Sequence, residues 1–312
     1  MSSDMDNIEP IERRLKLHDV RVLMAVAEAG SMSKAAKRLG TVQPALSRSI
    51  AELEHALGVR LLDRGARGVA PTAYGRALIK RGVAVFDELR QGIGDIAFLA
   101  DPTAGELRVG SSESLATGPV WAVIDRLLRQ YPRISIKLVT GNIGALCEDL
   151  AERNVEIVIR RIAEPIIDRQ FAVENLFDDP VIVAAGAQNP WTRRRRFQLA
   201  DLANEPWALV PFDTPSGALI ARAFRASSLE PPRAVVFAQS LHVRTRLLET
   251  GRFLSAMPSF SLRLPERHPA LKALPVEFPG TRRPIGIITL KDRTLSPLAQ
   301  LFLEKMRSIL KP

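Results

Sequence analysis

Residues 31–57, SMSKAAKRLGTVQPALSRSIAELEHAL, restrict the fold more than any other stretch of the chain. Two helix-forming segments meet at a break, Gly40-Thr41, and the second segment opens on Gln43-Pro44. Glycine supplies the left-handed conformation that ends a helix. Proline is tolerated in a first helical turn, whose N–H groups have no helical partner. Leu46, Ile50, Leu53 and Leu57 form one stripe of the second helix, and Gln43, Ser47, Arg48 and Ala51 lie on the opposite face. That outer face is short-chained, as close approach to a DNA major groove requires. Its amide and guanidinium groups suit adenine and guanine edges. Helix, tight turn and helix with a sparse polar face is the helix-turn-helix pattern. A plain helical hairpin with a solvated face meets the same spacing. Upstream, Leu17, Val20, Leu23, Met24 and Ala27 mark a first helix ending near Gly30. Ser31 or Ser33 can cap the next one, and Ser33 is placed with the DNA-facing residues.

Charge sharpens this reading. The chain of 312 residues carries a formal net charge of +10, and residues 13–81 alone hold 14 Lys/Arg against 5 Asp/Glu. A basic surplus concentrated on the helix-turn-helix suits phosphate contacts. Residues 58–72, GVRLLDRGARGVAPT, predict a small hairpin with strands at 60–63 and 69–71. Arg64 and Arg67 near its tip could reach a phosphate or the narrow groove; a solvated loop is the alternative. Thr72 can cap a long helix reaching about Ala100, roughly 40 Å of rise. Ile79, Phe86, Leu89, Ile93 and Ile96 follow a seven-residue repeat along it, with Gly82 as a gap. Such a stripe calls for a partner helix. Gly75, Gly82, Gly92 and Gly94 weaken the helix by about 1 kcal/mol each relative to alanine, so a homodimer is expected.

The run from AVAEAGSMSKAAKRLG through QPALSRSIAELEHALGVRLLDR to PTAYG resembles the LysR-type transcriptional regulators of bacteria, and the likeness extends over residues 15–312. The resemblance implies an N-terminal all-α winged helix-turn-helix with a long linker helix. It also implies a C-terminal α/β, two-lobed, periplasmic-binding-protein-like domain. Gln43, Pro44, Ser47 and Arg48 match positions the family uses at DNA. The family usually has Ser or Thr before Gln-Pro; here Val42 stands there, and Thr41 is the expected cap. The implied partners are double-stranded promoter DNA, a small-molecule co-inducer and further copies of the chain, as homodimer and homotetramer, with RNA polymerase a further candidate.

The expected domains are an N-terminal extension at 1–14, a DNA-binding domain at 15–72, a linker helix at 73–101 and an effector domain at 105–312. Pro102 and Gly105 form a hinge-like break before the last. Strands at 106–110, 134–139 and 156–159 alternate with helices at about 118–130 and 144–153, an order that argues for parallel strands. Further strands are expected at 181–187, 207–211, 234–238 and 286–290, with helices near 216–227 and 295–310. Lobe I is placed at about 105–165 and 284–312, and lobe II at about 178–260. Ligands in open α/β sheets bind beyond the carboxyl ends of strands, near helix N-termini. Ser111, Ser112, Ser114, Thr140, Asn142 and Arg161 are the candidates from lobe I. Phe212, Thr214, Ser240 and His242 are those from lobe II. A capping hydroxyl or a surface arginine explains each of them singly. Ile143, and Phe253 within GRFLSAMP, depart from the family's usual residues and favour an aromatic or aliphatic acid over a sugar.

Several classes recede. The single Cys147 excludes an internal disulfide and a cysteine-cluster metal site and reads as an inert packed thiol. No metal or cofactor is expected, and no GxSxG, Walker-type loop or HExxH occurs, so an enzyme is not expected. No apolar run reaches the ~20 residues that span a bilayer, and the polar, acidic start MSSDMDNIEP is unlike a signal peptide. A cytoplasmic protein without membrane contact is expected. The alternative is a cytoplasmic solute-binding protein with an accessory helical N-terminal domain. The RRRR run at 193–196 reads as a solvated edge.

Overall fold

A computed structural model describes residues 14–65, 68–162, 166–233, 236–262 and 270–310. The chain divides into two compact units, Met1–Gly92 and Ile93–Pro312. Arg67, and the 1–14 extension except Arg14, lie outside the described residues.

The first unit contains α1 (Leu17–Ala29), α2 (Met32–Arg38) and α3 (Gln43–Leu57), then a hairpin of β1 (Leu62–Gly65) and β2 (Gly68–Pro71). The 28-residue α4 (Ala73–Ala100) follows and contains the boundary between the units. Leu23 and Val26 of α1, Ala35 and Ala36 of α2, and Leu46, Ile50 and Leu53 of α3 form one buried core, as their spacing predicts. The gap at Gly82 has a steric cause. A Cβ there would stand 2.9 Å from Val20 Cγ1 and 3.0 Å from Met24 Sδ. The glycine thus lets α4 lie against α1.

The second unit holds two lobes. In lobe I, β3 (Ala104–Ser111), β4 (Arg133–Thr140), β5 (Ile157–Arg161), β6 (Phe171–Asp179) and β12 (Arg283–Leu290) form one sheet in the order β4-β3-β5-β12-β6. The β3 strand is parallel to β4 and β5. The expectation of parallel strands holds only that far, because β12 returns antiparallel between β5 and β6. Period-2 alternation sorts the side chains. Val109, Ile159 and Ile287 pack under α5 (Trp121–Gln130) and α9 (Pro297–Leu310). Val158 and Ile288 pack under α6 (Ile143–Ala151). A π-helical turn at Ala116–Val120, containing Pro119, precedes α5 and accounts for its late start.

Lobe II is built from β7 (Val181–Gly186), the parallel pair β8 (Ala208–Leu209) and β9 (Val236–Phe237), α7 (Pro215–Ala226), α8 (Leu241–Glu249), β10 (Leu254–Pro258) and β11 (Leu271–Ala273). The three-stranded sheet β10-β7-β11 is antiparallel. Trp207 and Phe224 meet edge-on at 5.4 Å in its core, beside Phe278. Lobe II therefore continues past residue 260, through β11 and Phe278. The interval left between the two expected lobes, at about 165–178, contains most of β6, a strand of lobe I. Its alternation is hard to read in FAVENLFDD because the strand ends the sheet and buries only its two terminal residues, Phe171 and Asp179. Arg194 stacks 4.3 Å over Trp191, and residues 193–196 are exposed. Cys147 is half-buried, and burial raises its thiol above the ordinary range.

Candidate nucleic-acid interface and effector site

The α3 helix begins at Gln43, with Pro44 in its first turn and Val42, extended and exposed, at the N-cap. No side chain caps α3, so Thr41 does not take that role. Ser31, not Ser33, caps α2 by accepting from Lys34 N at 3.5 Å; Ser33 is exposed. Gln43, Pro44, Arg48 and Ala51 are exposed and Ser47 is half-buried, while Leu46, Ile50 and Leu53 face inward. Among the described residues, the side chains of Gln43, Ser47 and Arg48 make no hydrogen bond or ion pair. One face of the helix is thus consumed by the core and the other is left uncommitted.

The surroundings hold this face rigidly. Glu54 Oε1 accepts from Leu61 N at 2.7 Å and Leu62 N at 3.2 Å, which ties the end of α3 to the hairpin. Gly68, at φ +113, lets Val69 N reach Gly30 O at 2.9 Å, a place where a Cβ would stand 2.6 Å from that oxygen. Thr72 caps α4 as its sequence predicts, accepting from Gly75 N at 3.1 Å and donating to Arg60 O at 2.8 Å. Arg64 is exposed on β1. Along α4, Ile79 packs against the core of the first unit and Phe86 is half-buried. Leu89, Ile93 and Ile96 are exposed, the last two by 69% and 70%.

In the second unit the ten candidate ligand residues fall into three groups. Ser111 is fully buried, and its hydroxyl donates to Ile159 O at 3.1 Å. The Arg161 guanidinium grips Asp179, which is 1% exposed and also accepts from Ser259 Oγ at 2.6 Å and Phe260 N at 3.0 Å. Burial lowers the Arg161 pKa, and the Asp179 charge opposes the shift. Ser111 ties β3 to β5 and Arg161 ties β5 to the end of β6, commitments that strand-end position alone does not reveal. Asn142 and Thr214 are helix caps, accepting from Ala145 N at 3.0 Å and Gly217 N at 3.1 Å. Ser112 is half-buried and makes no side-chain cap, Thr140 is exposed, and half-buried Phe212 meets Phe237 edge-on at 5.4 Å. Ile143 is half-buried beside the α6 core; Phe253 is buried against the lobe II core and adds no apolar surface to the cleft.

Ser114, Ser240 and His242 form the third group. Ser114 and His242 line a cavity of about 1320 Å³ together with Glu113, Trp121, Thr245 and Ser261. Ser240 caps α8, accepting from Val243 N at 3.5 Å, and its Oγ donates to Glu113 Oε1 at 3.1 Å, from one lobe to the other. Arg244, one turn along α8, is 5% exposed and donates through Nη1 to Ala256 O at 3.1 Å. Burial lowers its pKa to about 10, against the pull of the Glu113 charge. Glu113 and Arg244 were not among the sequence candidates. The charge inside GSSES was their one available signal, because the contact joins residues far apart in the chain.

The model of the bacterial regulatory helix-turn-helix protein, lysR family, matches residues 17–76, and that of the LysR substrate binding domain matches residues 84–311. The chain is 25% identical over 299 residues to the HTH-type transcriptional regulator GbpR of Azospirillum brasilense, covering 96% of this chain and 87% of that protein. It is 28% identical over 296 residues to the HTH-type transcriptional activator CmpR of a Synechocystis strain, covering 92% and 93%. A full-length OxyR variant from Pseudomonas aeruginosa has a similar fold, with a TM-score of 0.63 at 20% identity over 95% of this chain and 94% of that one. Full-length CbnR in complex with its target DNA gives 0.55 at 22%, over 95% and 100%. The chain belongs to the LysR family of bacterial transcriptional regulators, DNA-binding proteins that join a helix-turn-helix to a substrate-binding effector domain.

Proposed function

We propose that the protein binds a two-fold-related promoter sequence through α3 and the β1–β2 wing of paired chains, and that a small carboxylate co-inducer bound by the effector domain alters this binding. The observation that carries the reading is the outer face of α3, where Gln43, Ser47 and Arg48 are free of partners among the described residues. Side chains fixed at their backbone and unspent at their tips suit base-edge readout, and exposed Arg64 on the wing suits a phosphate. The exposed stripe Leu89, Ile93 and Ile96 supports a homodimer through α4, and a homotetramer and contact with RNA polymerase extend the same reading. The half-buried hydroxyls of Ser112 and Ser114, with Phe212, Thr140 and His242, support a small acid as effector. Ligand closure of the lobes would bias one arrangement of the assembly over another. Among the described residues no helix is long and apolar enough to cross a membrane, in keeping with action in the cytoplasm.

Selection from a pool of randomised duplexes tests the reading. The expected product is an inverted repeat whose retention falls steeply with added salt. Enrichment of no sequence would contradict it.

A further inference from the structure

Lobe II carries a second concentration of positive charge, apart from the one on the helix-turn-helix. Its span, residues 181–278, holds 13 Lys/Arg against 7 Asp/Glu, and 12 of the 13 are arginine. Four of these, Arg193–Arg196, stand side by side. All four are exposed, and among the described residues none makes an ion pair or a side-chain hydrogen bond. Asp201, the one acid between residues 189 and 204, is committed to the chain itself, accepting from Gln198 N at 2.8 Å.

A solvated edge needs no anchoring, yet this run is held at both ends. Asn189 caps the 3-10 turn Pro190–Arg193 by accepting from Trp191 N at 3.0 Å. Trp191 is buried, meets Phe197 at 5.0 Å between ring centres and carries the Arg194 guanidinium 4.3 Å over its ring. Stacking engages the flat face of a guanidinium and leaves the N–H groups at its edge free to donate. Beyond the run, Phe197 and buried Leu199 pack on the same lobe II core as Trp191. The large apolar side chains of the segment therefore turn inward, and the surface presented is charge alone. A protein partner calls for an apolar, aromatic centre to the interface. A nucleic-acid backbone calls for arginine without one, because phosphates take charge-assisted, bidentate hydrogen bonds.

We propose that Arg193–Arg196 bind the phosphate backbone of duplex DNA, as a contact separate from α3 and indifferent to base sequence. The contact adds affinity and salt dependence to whatever duplex α3 engages, but no discrimination between sequences. Its use to the protein rests on the promoter-binding reading given above.

The test measures retention of two duplexes of equal length across a series of salt concentrations. One contains the selected inverted repeat and the other has that repeat scrambled. Arg193→Gln, Arg195→Gln and Arg196→Gln are combined in the full-length chain, leaving Arg194 on Trp191. On both duplexes the slope of log affinity against log salt should become shallower by about 0.9 for each lost phosphate contact, about 2.7 in all. The preference for the repeat over the scramble should stay as in the native chain. Lysine at the same three positions keeps the charge and should keep the native slope. A control combining Arg126→Gln, Arg169→Gln and Lys291→Gln, three exposed residues of lobe I, removes equal charge and should also keep it. Native slopes in the glutamine variant, the outcome an acidic protein partner would give, overturn the contact. Equal changes in the lysine variant or in the control overturn it as well. A preference for the repeat without the change in slope sinks the arginine contact alone, whereas the change without any preference sinks the promoter-binding reading and leaves the contact standing.

Discussion

Asp179 accepts a 2.6 Å hydrogen bond from Ser259 Oγ, and this bond joins the end of a lobe I strand to the segment that leaves a lobe II strand. Asp179 ends β6 and Ser259 follows β10. The same carboxylate receives Phe260 N at 3.0 Å and the Arg161 guanidinium. Asp179→Asn leaves that half-buried guanidinium without its counter-charge. Breaking a buried pair from one side costs about 3–5 kcal/mol. Denaturant unfolding should show the effector domain destabilised by that amount; a change below about 1 kcal/mol would show that water already screens the pair.

Gly75 presents a conflict between helix propensity and packing. Alanine is favoured in a helix by about 1 kcal/mol, yet a Cβ at Gly75 would stand 2.1 Å from Leu61 O, a backbone atom that Thr72 N and Glu54 help to hold. Gly75→Ala should therefore destabilise the first unit by about 2 kcal/mol, read as a lower unfolding midpoint. Stabilisation would mean that the hairpin shifts freely.

The exposed stripe on α4 predicts an effect on assembly. Replacing Ile93 and Ile96 together by glutamate removes two side chains whose burial would be worth about 1.5–3 kcal/mol each. Sedimentation should show dissociation at protein concentrations at least tenfold higher than for the native chain. An unchanged mass distribution would place the dimer contact elsewhere.

Acid stability is predicted from Glu174 and Arg307, which meet through two hydrogen bonds of 2.8 and 2.7 Å. Hydrogen bonding from Arg307 holds the Glu174 carboxyl below its usual range. A depressed folded-state pKa stabilises the protein above the unfolded value of 4.5 and ceases to do so as pH falls through the folded value. Both side chains are nearly half exposed, so the pair is worth about 0.5 kcal/mol. Arg307→Ala should cost that much at neutral pH and progressively less as the pH falls below 4.5. A constant difference across pH would show that Arg307 acts by packing.

The helices of the first unit were legible because each carries local punctuation: Gly30, Gly40 and Gly58 stop helices, and Pro44 and Thr72 start them. The outward set on α3 followed from its period. The glycines of α4 were visible only as weaknesses, since their neighbours Met24 and Leu61 come from other elements. In the effector domain, β6 went unread because its burial is confined to its ends. Ser111 and Arg161 stand at strand ends as expected, but their partners Ile159 and Asp179 are set by the order of strands in the lobe I sheet. Glu113 and Ser240 are joined only by a tertiary contact, which no local pattern encodes.

Arg48 tests the central claim most directly. On a selected duplex, Arg48→Ala should weaken retention by about 1–3 kcal/mol while the thermal stability of the protein and its response to a bound carboxylate stay as in the native chain. Undiminished binding to the same duplex, or an equal loss of fold and of binding, would contradict the assignment of the outer face of α3 to DNA.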